Sequence, residues 1–259
     1  MLTLSLSQYA LGAIGGSIVG ISLGLIGGGG SILAVPLMIY LVGIDQPHIA
    51  IGTSALAVAA NAGISLINHA RRKNVRWPCA LIFAVVGVFG AFLGSSLGKM
   101  VNGQRLLMMF AILMLVVSGL MVKHRNHGAS GAGVSCRQNA GKLSMIGGVS
   151  GVLSGFFGIG GGFLVVPGLI VATRMPALLA VGTSLVAVTG FGLTTAINYS
   201  LSGMVDWPLA LVFIGGGNVG GVAGAALARR LSHTRGALNL VSAATIALTG
   251  IYTLYHSMA

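Results

Sequence analysis

Two glycine-rich runs hold the residues best suited to grip a small ligand: Gly24-Leu25-Ile26-Gly27-Gly28-Gly29-Gly30-Ser31 and Gly155-Phe156-Phe157-Gly158-Ile159-Gly160-Gly161-Gly162. Adjacent glycines do not sustain a helix, and they let the backbone approach a bound group closely. A helix is expected to restart after each run, near Ser31 and near Gly162. Helix N-termini carry partial positive charge and unpaired N–H groups, so two of them facing one cavity favour an anion. Gly27, Gly28, Gly29, Gly30 and Ser31 are therefore candidate substrate-binding residues, matched by Gly158, Gly160, Gly161 and Gly162. Each run is followed by Gly-Thr-Ser, at Gly52-Thr53-Ser54 and Gly182-Thr183-Ser184. The hydroxyls of Thr53, Ser54, Thr183 and Ser184 either donate to anionic oxygens or bond back to a carbonyl one turn earlier. Asn68 and Asn198, further along the same segments, are candidate gate or interface residues.

Other chemistries lack their residues. The only carboxylates are Asp45 and Asp206, both expected in loops outside the membrane. A buried Asp or Glu is the usual carrier of a coupling proton or sodium ion, so coupling through an acidic side chain is not expected. Cys79 and Cys136 show no metal-ligand spacing. Cys79 opens an apolar run and Cys136 lies in a basic loop placed in the cytoplasm, so no disulfide is expected. Neither a cofactor, a metal nor enzymatic activity is expected.

The elements that must position the glycine runs belong in a bilayer. Only 6% of the residues are charged while 55% are hydrophobic, against about a quarter charged in soluble domains. The N-terminus has no basic stretch typical of a cleaved signal. A net charge of +12 would suit a nucleic-acid binder. Here the basic residues sit in short clusters between apolar runs, as membrane topology requires, and no nucleic-acid partner is expected.

A hydrocarbon core takes about 20 helical residues. On that ruler the chain divides into eight apolar segments: A (8–43), B (48–68), C (77–98) and D (104–122), a polar linker (123–142), then A′ (144–172), B′ (176–199), C′ (207–228) and D′ (236–255). A straight helix over A would be about 54 Å long, too long for one crossing. A and A′ read as broken, re-entrant hairpins, with two short full crossings each as the alternative. The expected organisation is a first membrane repeat (1–122), a cytoplasmic linker (123–142) and a second repeat (143–259).

The halves are copies. At a shift of 130 residues Gly52-Thr53-Ser54 falls on Gly182-Thr183-Ser184, Ile67-Asn68 on Ile197-Asn198, and Trp77-Pro78 on Trp207-Pro208. Gly87, Gly90 and Gly94 fall on Gly217, Gly220 and Gly224, and these six read as helix-packing positions. The A segments match at a shift of 131. Apolar composition alone does not align Trp-Pro and a lone Asn without gaps, so the fold is a duplication. With the B–C loop in the cytoplasm and three crossings per half, 12 of the 14 Lys and Arg residues lie inside. If A and A′ each crossed once, the split would be eight to six. The positive-inside rule thus favours inverted repeats, both termini facing the periplasm. The fold class is all-α and polytopic, each repeat a broken helical hairpin plus three transmembrane helices.

The paired glycine motifs leading to Pro36 and Pro167, each followed by Gly-Thr-Ser, resemble the sulfite exporter TauE/SafE family, also called the sulfonate uptake permeases. The resemblance covers nearly the whole chain. It implies a bacterial inner-membrane permease for small sulfur-containing or organic anions such as sulfite, sulfoacetate or related sulfonates, working as an exporter. Binding roles carry over only to the glycine runs and the Gly-Thr-Ser motifs. An exporter of amino acids or other zwitterions, and a membrane partner that transports nothing, are the alternatives. Oligomeric state is left open.

Overall fold

The computed structural model describes residues 4–26, 28–123, 136, 139–230 and 246–256. All regular structure among them is helical. Helix α1 spans Leu6–Ile26. After the break come a 3₁₀ helix at Gly28–Leu33, a single α-helical turn at Ala34–Pro36 (α2) and a π-helical turn at Leu37–Leu41. Then follow α3 (Pro47–Arg71), α4 (Trp77–Met100) and α5 (Gly103–Lys123). The second half has α6 (Ala140–Phe157), α7 (Gly162–Thr173), α8 (Ala177–Ser200) and α9 (Trp207–Arg230). A last helix, α10, occupies 246–256, so the first part of segment D′ lies outside the described residues. Among the described residues five helices are long and apolar enough to cross a membrane, within α1, α3, α4, α8 and α9.

The broken segments fold back on themselves. In A′, a Cβ on Gly161 would touch Ser154, and one on Gly168 would lie 2.7 Å from Ile146, so α6 and α7 run antiparallel. In A, Gln8 Nε2 donates to the Val42 carbonyl at 3.2 Å, closing the hairpin at its open end. The arms are unequal: α1 has 21 residues and α7 only 12, or about 31 and 18 Å. The first arm of A is thus longer than a half-crossing.

Equivalent helices of the two halves meet head to tail. A Cβ on Gly52 would strike the Met204 carbonyl, and one on Gly182 the Asn74 carbonyl. The start of α3 therefore lies at the end of α8, and the start of α8 at the end of α3. Around this antiparallel pair the halves exchange partners, with α4 on α6 and α1 on α9. Gly87, Gly94 and Gly98 face the backbone of Gly147, Val152 and Phe156, in rising order on both helices, so α4 and α6 are parallel. Gly216, Gly220 and Gly224 face Ala13, Ser17 and Ile21 in the same way. Side chains at these sites would hold the backbones apart. Small residues allow the close approach on which helix association in lipid depends.

The two cysteines, expected from the sequence to remain unpaired, are bonded to each other. Cys79 and Cys136 form a disulfide, with their Cα atoms 5.1 Å apart. Their separation of 57 positions along the chain hides the reason. The parallel seating of α6 on α4 brings Cys136, four residues before α6, beside the start of α4, where Cys79 is fully buried.

Candidate functional site

The second break is built from left-handed glycines. Gly158, Gly160 and Gly161 have φ of +67°, +65° and +70°. A side chain is disfavoured there, because Cβ crowds the carbonyl that follows. Space is equally short: a Cβ on Gly160 would lie 2.7 Å from Val58 and 3.3 Å from Val188. Those valines sit near the middles of α3 and α8, so the break lies halfway along the central pair. Gly161 is the N-cap of α7, and no side chain caps it. Its carbonyl accepts from the Leu164 and Val165 N–H groups, and Gly162 opens the helix.

The first break differs. Gly28, Gly29, Gly30 and Ser31 lie in a 3₁₀ helix, whose bonds tighten the turn where an open loop was expected. Gly27 lies outside the described residues. Ser31 is fully buried, and a Cβ on Gly30 would collide with Ser22 and Leu23 of α1. This 3₁₀ helix touches α7, so the two breaks meet.

The Gly-Thr-Ser hydroxyls are engaged within the fold. Thr53 Oγ1 accepts from the Asp206 N–H at 3.0 Å, and Thr183 Oγ1 from the Arg76 N–H at 3.1 Å. Ser54 Oγ donates to the Ile51 carbonyl at 3.0 Å and lies 3.5 Å from that of Gly158. Ser184 Oγ donates to the Val181 carbonyl at 2.7 Å. Asp206, a loop carboxylate on the sequence, is buried and accepts from the Leu209 N–H at 3.0 Å, as helix N-caps do.

The two asparagines part company. Asn198 is buried; its Nδ2 donates to Ser95 Oγ at 2.6 Å and Ser96 Oγ at 3.0 Å. Its Oδ1 and carbonyl accept from Lys99 Nζ at 2.8 and 3.1 Å, and the ammonium also reaches Ser202 Oγ at 2.9 Å. This cluster ties the ends of α4 and α8 together. Asn68 is exposed.

Sequence reasoning missed two polar groups. Ser154 is fully buried, its hydroxyl has no hydrogen-bond partner, and it lies against Gly161. Asn61, 5% exposed, leaves both amide atoms unpaired. The available signal was divergence between the copies: Ser154 corresponds to Leu23 and Asn61 to Phe191. Two cavities lie away from the breaks. One of about 490 Å³ is lined by Gln46, Val205, Asp206 and Trp207, and one of about 700 Å³ by Tyr40, Leu248 and Tyr252.

Comparison with known proteins now decides the lineage. The family model described as sulfite exporter TauE/SafE matches residues 12–253. The chain belongs to the TauE/SafE family. This TauE/SafE member is 50% identical over 248 residues to a probable membrane transporter protein of Xylella fastidiosa, covering 94% of each chain. It is 31% identical to the probable membrane transporter protein YunE of Bacillus subtilis, covering 83% of this chain and 87% of that one. It is also 30% identical to a probable membrane transporter protein of Methanocaldococcus jannaschii, covering 76% and 78%. No solved structure matches the chain. As a TauE/SafE member with several apolar spans, it is a multi-pass membrane transporter.

Proposed function

We propose that this transporter is a permease for small sulfur-containing or organic anions, such as sulfite, sulfoacetate and related sulfonates, moving them out of the cell. The observation that carries the reading is the buried N-terminus of α7, which no side chain caps. It starts at left-handed glycines halfway along the central helix pair, with the unpartnered Ser154 hydroxyl beside it. Backbone N–H groups, a helix dipole and a hydroxyl donor in low dielectric suit an anion. Gly158, Gly160, Gly161 and Gly162 contact the substrate, with the first break at Gly28, Gly29, Gly30 and Ser31 across from them. Thr53, Ser54, Thr183 and Ser184 brace this site. Asn198 pins the α4–α8 end where a gate would open.

In the bilayer the copies have inverted topology, with the B–C loop in the cytoplasm of a bacterium, the termini periplasmic and the inner membrane as host. The head-to-tail pairing of α3 and α8 supports this, as does the basic 71–76 loop against a 201–206 loop without a basic residue. The membrane potential favours anion export by about 2.3 kcal/mol per charge at 100 mV.

The test is flux from purified protein in liposomes under an imposed potential, offered sulfite, sulfoacetate, taurine and a neutral amino acid. Flux of the anions alone is expected. Flux of the amino acid alone would replace this reading with zwitterion export.

A further inference from the structure

We infer that Asn61 is a substrate-contacting residue, taking an oxyanion that both accepts and donates hydrogen bonds. The inference rests on the permease reading and adds to it a residue from the first copy.

Asn61 lies near the middle of α3, within an apolar span. It is 5% exposed, and neither Nδ2 nor Oδ1 has a hydrogen-bond partner. A buried amide with nothing to bond loses several kcal/mol relative to water, in order-of-magnitude terms. Such a group in a membrane span is kept where something else fills it.

Packing does not account for it. The amide lies against Gly217 of α9, where a Cβ would collide with it. In the other copy Gly87 of α4 corresponds to Gly217, and the ring of Phe191 fills that notch. Asn61 and Phe191 are equivalent positions facing equivalent glycines. The scaffold therefore accepts a wholly apolar side chain here, and the first copy carries an amide instead. Phe191 is also 3.4 Å from where a Cβ on Gly161 would be, beside the second break. The equivalents of Gly161 and Phe191 are Gly30 and Asn61. Asn61 itself follows Val58 by one turn of α3, and Val58 is the side chain that meets Gly160, so the amide lies one helical turn from the contact with the second break.

The chemistry limits the ligand. Nδ2 donates to a charged oxygen, while Oδ1 accepts and needs a proton from its partner. A monoprotonated oxyanion satisfies both; a fully deprotonated sulfonate uses only the donor.

Sulfite is the probe, with full-length protein tested for binding by thermal-shift titration and for flux in liposomes. Asn61→Leu and Asn61→Phe should melt at or above the wild-type temperature, because each removes an unpaired polar group. Both should bind sulfite at least tenfold more weakly, a loss of about 1.4 kcal/mol. Asn61→Ser, smaller than either and retaining a donor and an acceptor, should fall between them and wild type. It also keeps the test valid if the larger side chains misfold. Sulfite affinity and flux within twofold of wild type in any folded variant lacking the amide would overturn the inference while leaving the permease reading intact. Wild-type protein that moves neither sulfite nor any other anion would overturn both.

Discussion

The hydroxyl of Thr53 accepts the backbone N–H of Asp206 at 3.0 Å, joining the start of α3 to the loop that follows α8. Thr183 does the same for Arg76 at 3.1 Å, at the opposite end of the central pair. Asp206 and Arg76 are themselves equivalent under the 130-residue shift, so one contact is made twice with the halves exchanged. Each clasp fixes a helix start that is also held by the neighbouring glycine, Gly52 or Gly182.

Replacing Thr53 by Val leaves the buried Asp206 N–H unpaired, which costs about 1–3 kcal/mol; replacing Thr183 by Val frees the half-buried Arg76 N–H, which water reaches more easily, and costs less. Each variant should melt lower in detergent, Thr53→Val by the larger margin. The clasps share no partner, so the double variant should show the sum. Calorimetry or a thermal-shift series checks it, and a coupled loss would show that the clasps act as one.

At Gly161, with φ of +70° and Ser154 in contact, Ala introduces both backbone strain and a clash. Left-handed backbone costs a non-glycine residue about 1–2 kcal/mol. Gly161→Ala should insert in the membrane yet lose most sulfite flux, and a bulkier Gly161→Leu all of it. Flux equal to wild type would remove this glycine from the site.

Glycines of the helix interfaces should divide by what faces them. A Cβ on Gly94 would meet the Val152 backbone, and one on Gly151 the Gly87 backbone, so Leu at either position should prevent stable folding. Nothing lies within 4 Å of a Cβ on Gly119 or Gly215. There Ala should stabilise by about 0.4–1 kcal/mol through the unfolded chain. Melting temperatures of the four variants measure the contrast.

The Lys99 cluster predicts coupling. Lys99→Met removes three hydrogen bonds at the end of α8, and Asn198→Leu removes one of these, the bond to Oδ1, together with the two serine links. Each single change should cost about 0.6–2 kcal/mol, and the double variant clearly less than their sum. Additive losses would show that the two side chains are independent.

Sidedness is open to labelling. Ser202→Cys, in the loop between α8 and α9, should react with an impermeant thiol reagent only from the periplasm. The Cys79–Cys136 contact at the other end of the bundle is tested separately. Digests of air-oxidised purified protein should yield the linked peptide, and reductant should release it. Labelling of Ser202→Cys only from the cytoplasm would refute the proposed orientation.

The sequence alone determined the duplication, the two glycine breaks and the membrane class. Those are properties of periodicity, composition and internal repetition, which a linear string carries in full. It also placed Gly87, Gly90 and Gly94 at helix contacts, because small residues at that spacing have few other uses in lipid. Tertiary structure alone decided the fate of single polar groups. Thr53 and Asp206 are 153 residues apart, Lys99 and Asn198 99 apart, and a local pattern cannot announce such meetings. The cysteine pair was hidden for the same reason: the parallel seating of α6 on α4 creates it. The paired amide and ring at Asn61 and Phe191 were visible as a mismatch between the copies. Only the fold showed them facing equivalent glycine notches, the ring filling one and the amide leaving both its polar atoms unpaired in the other.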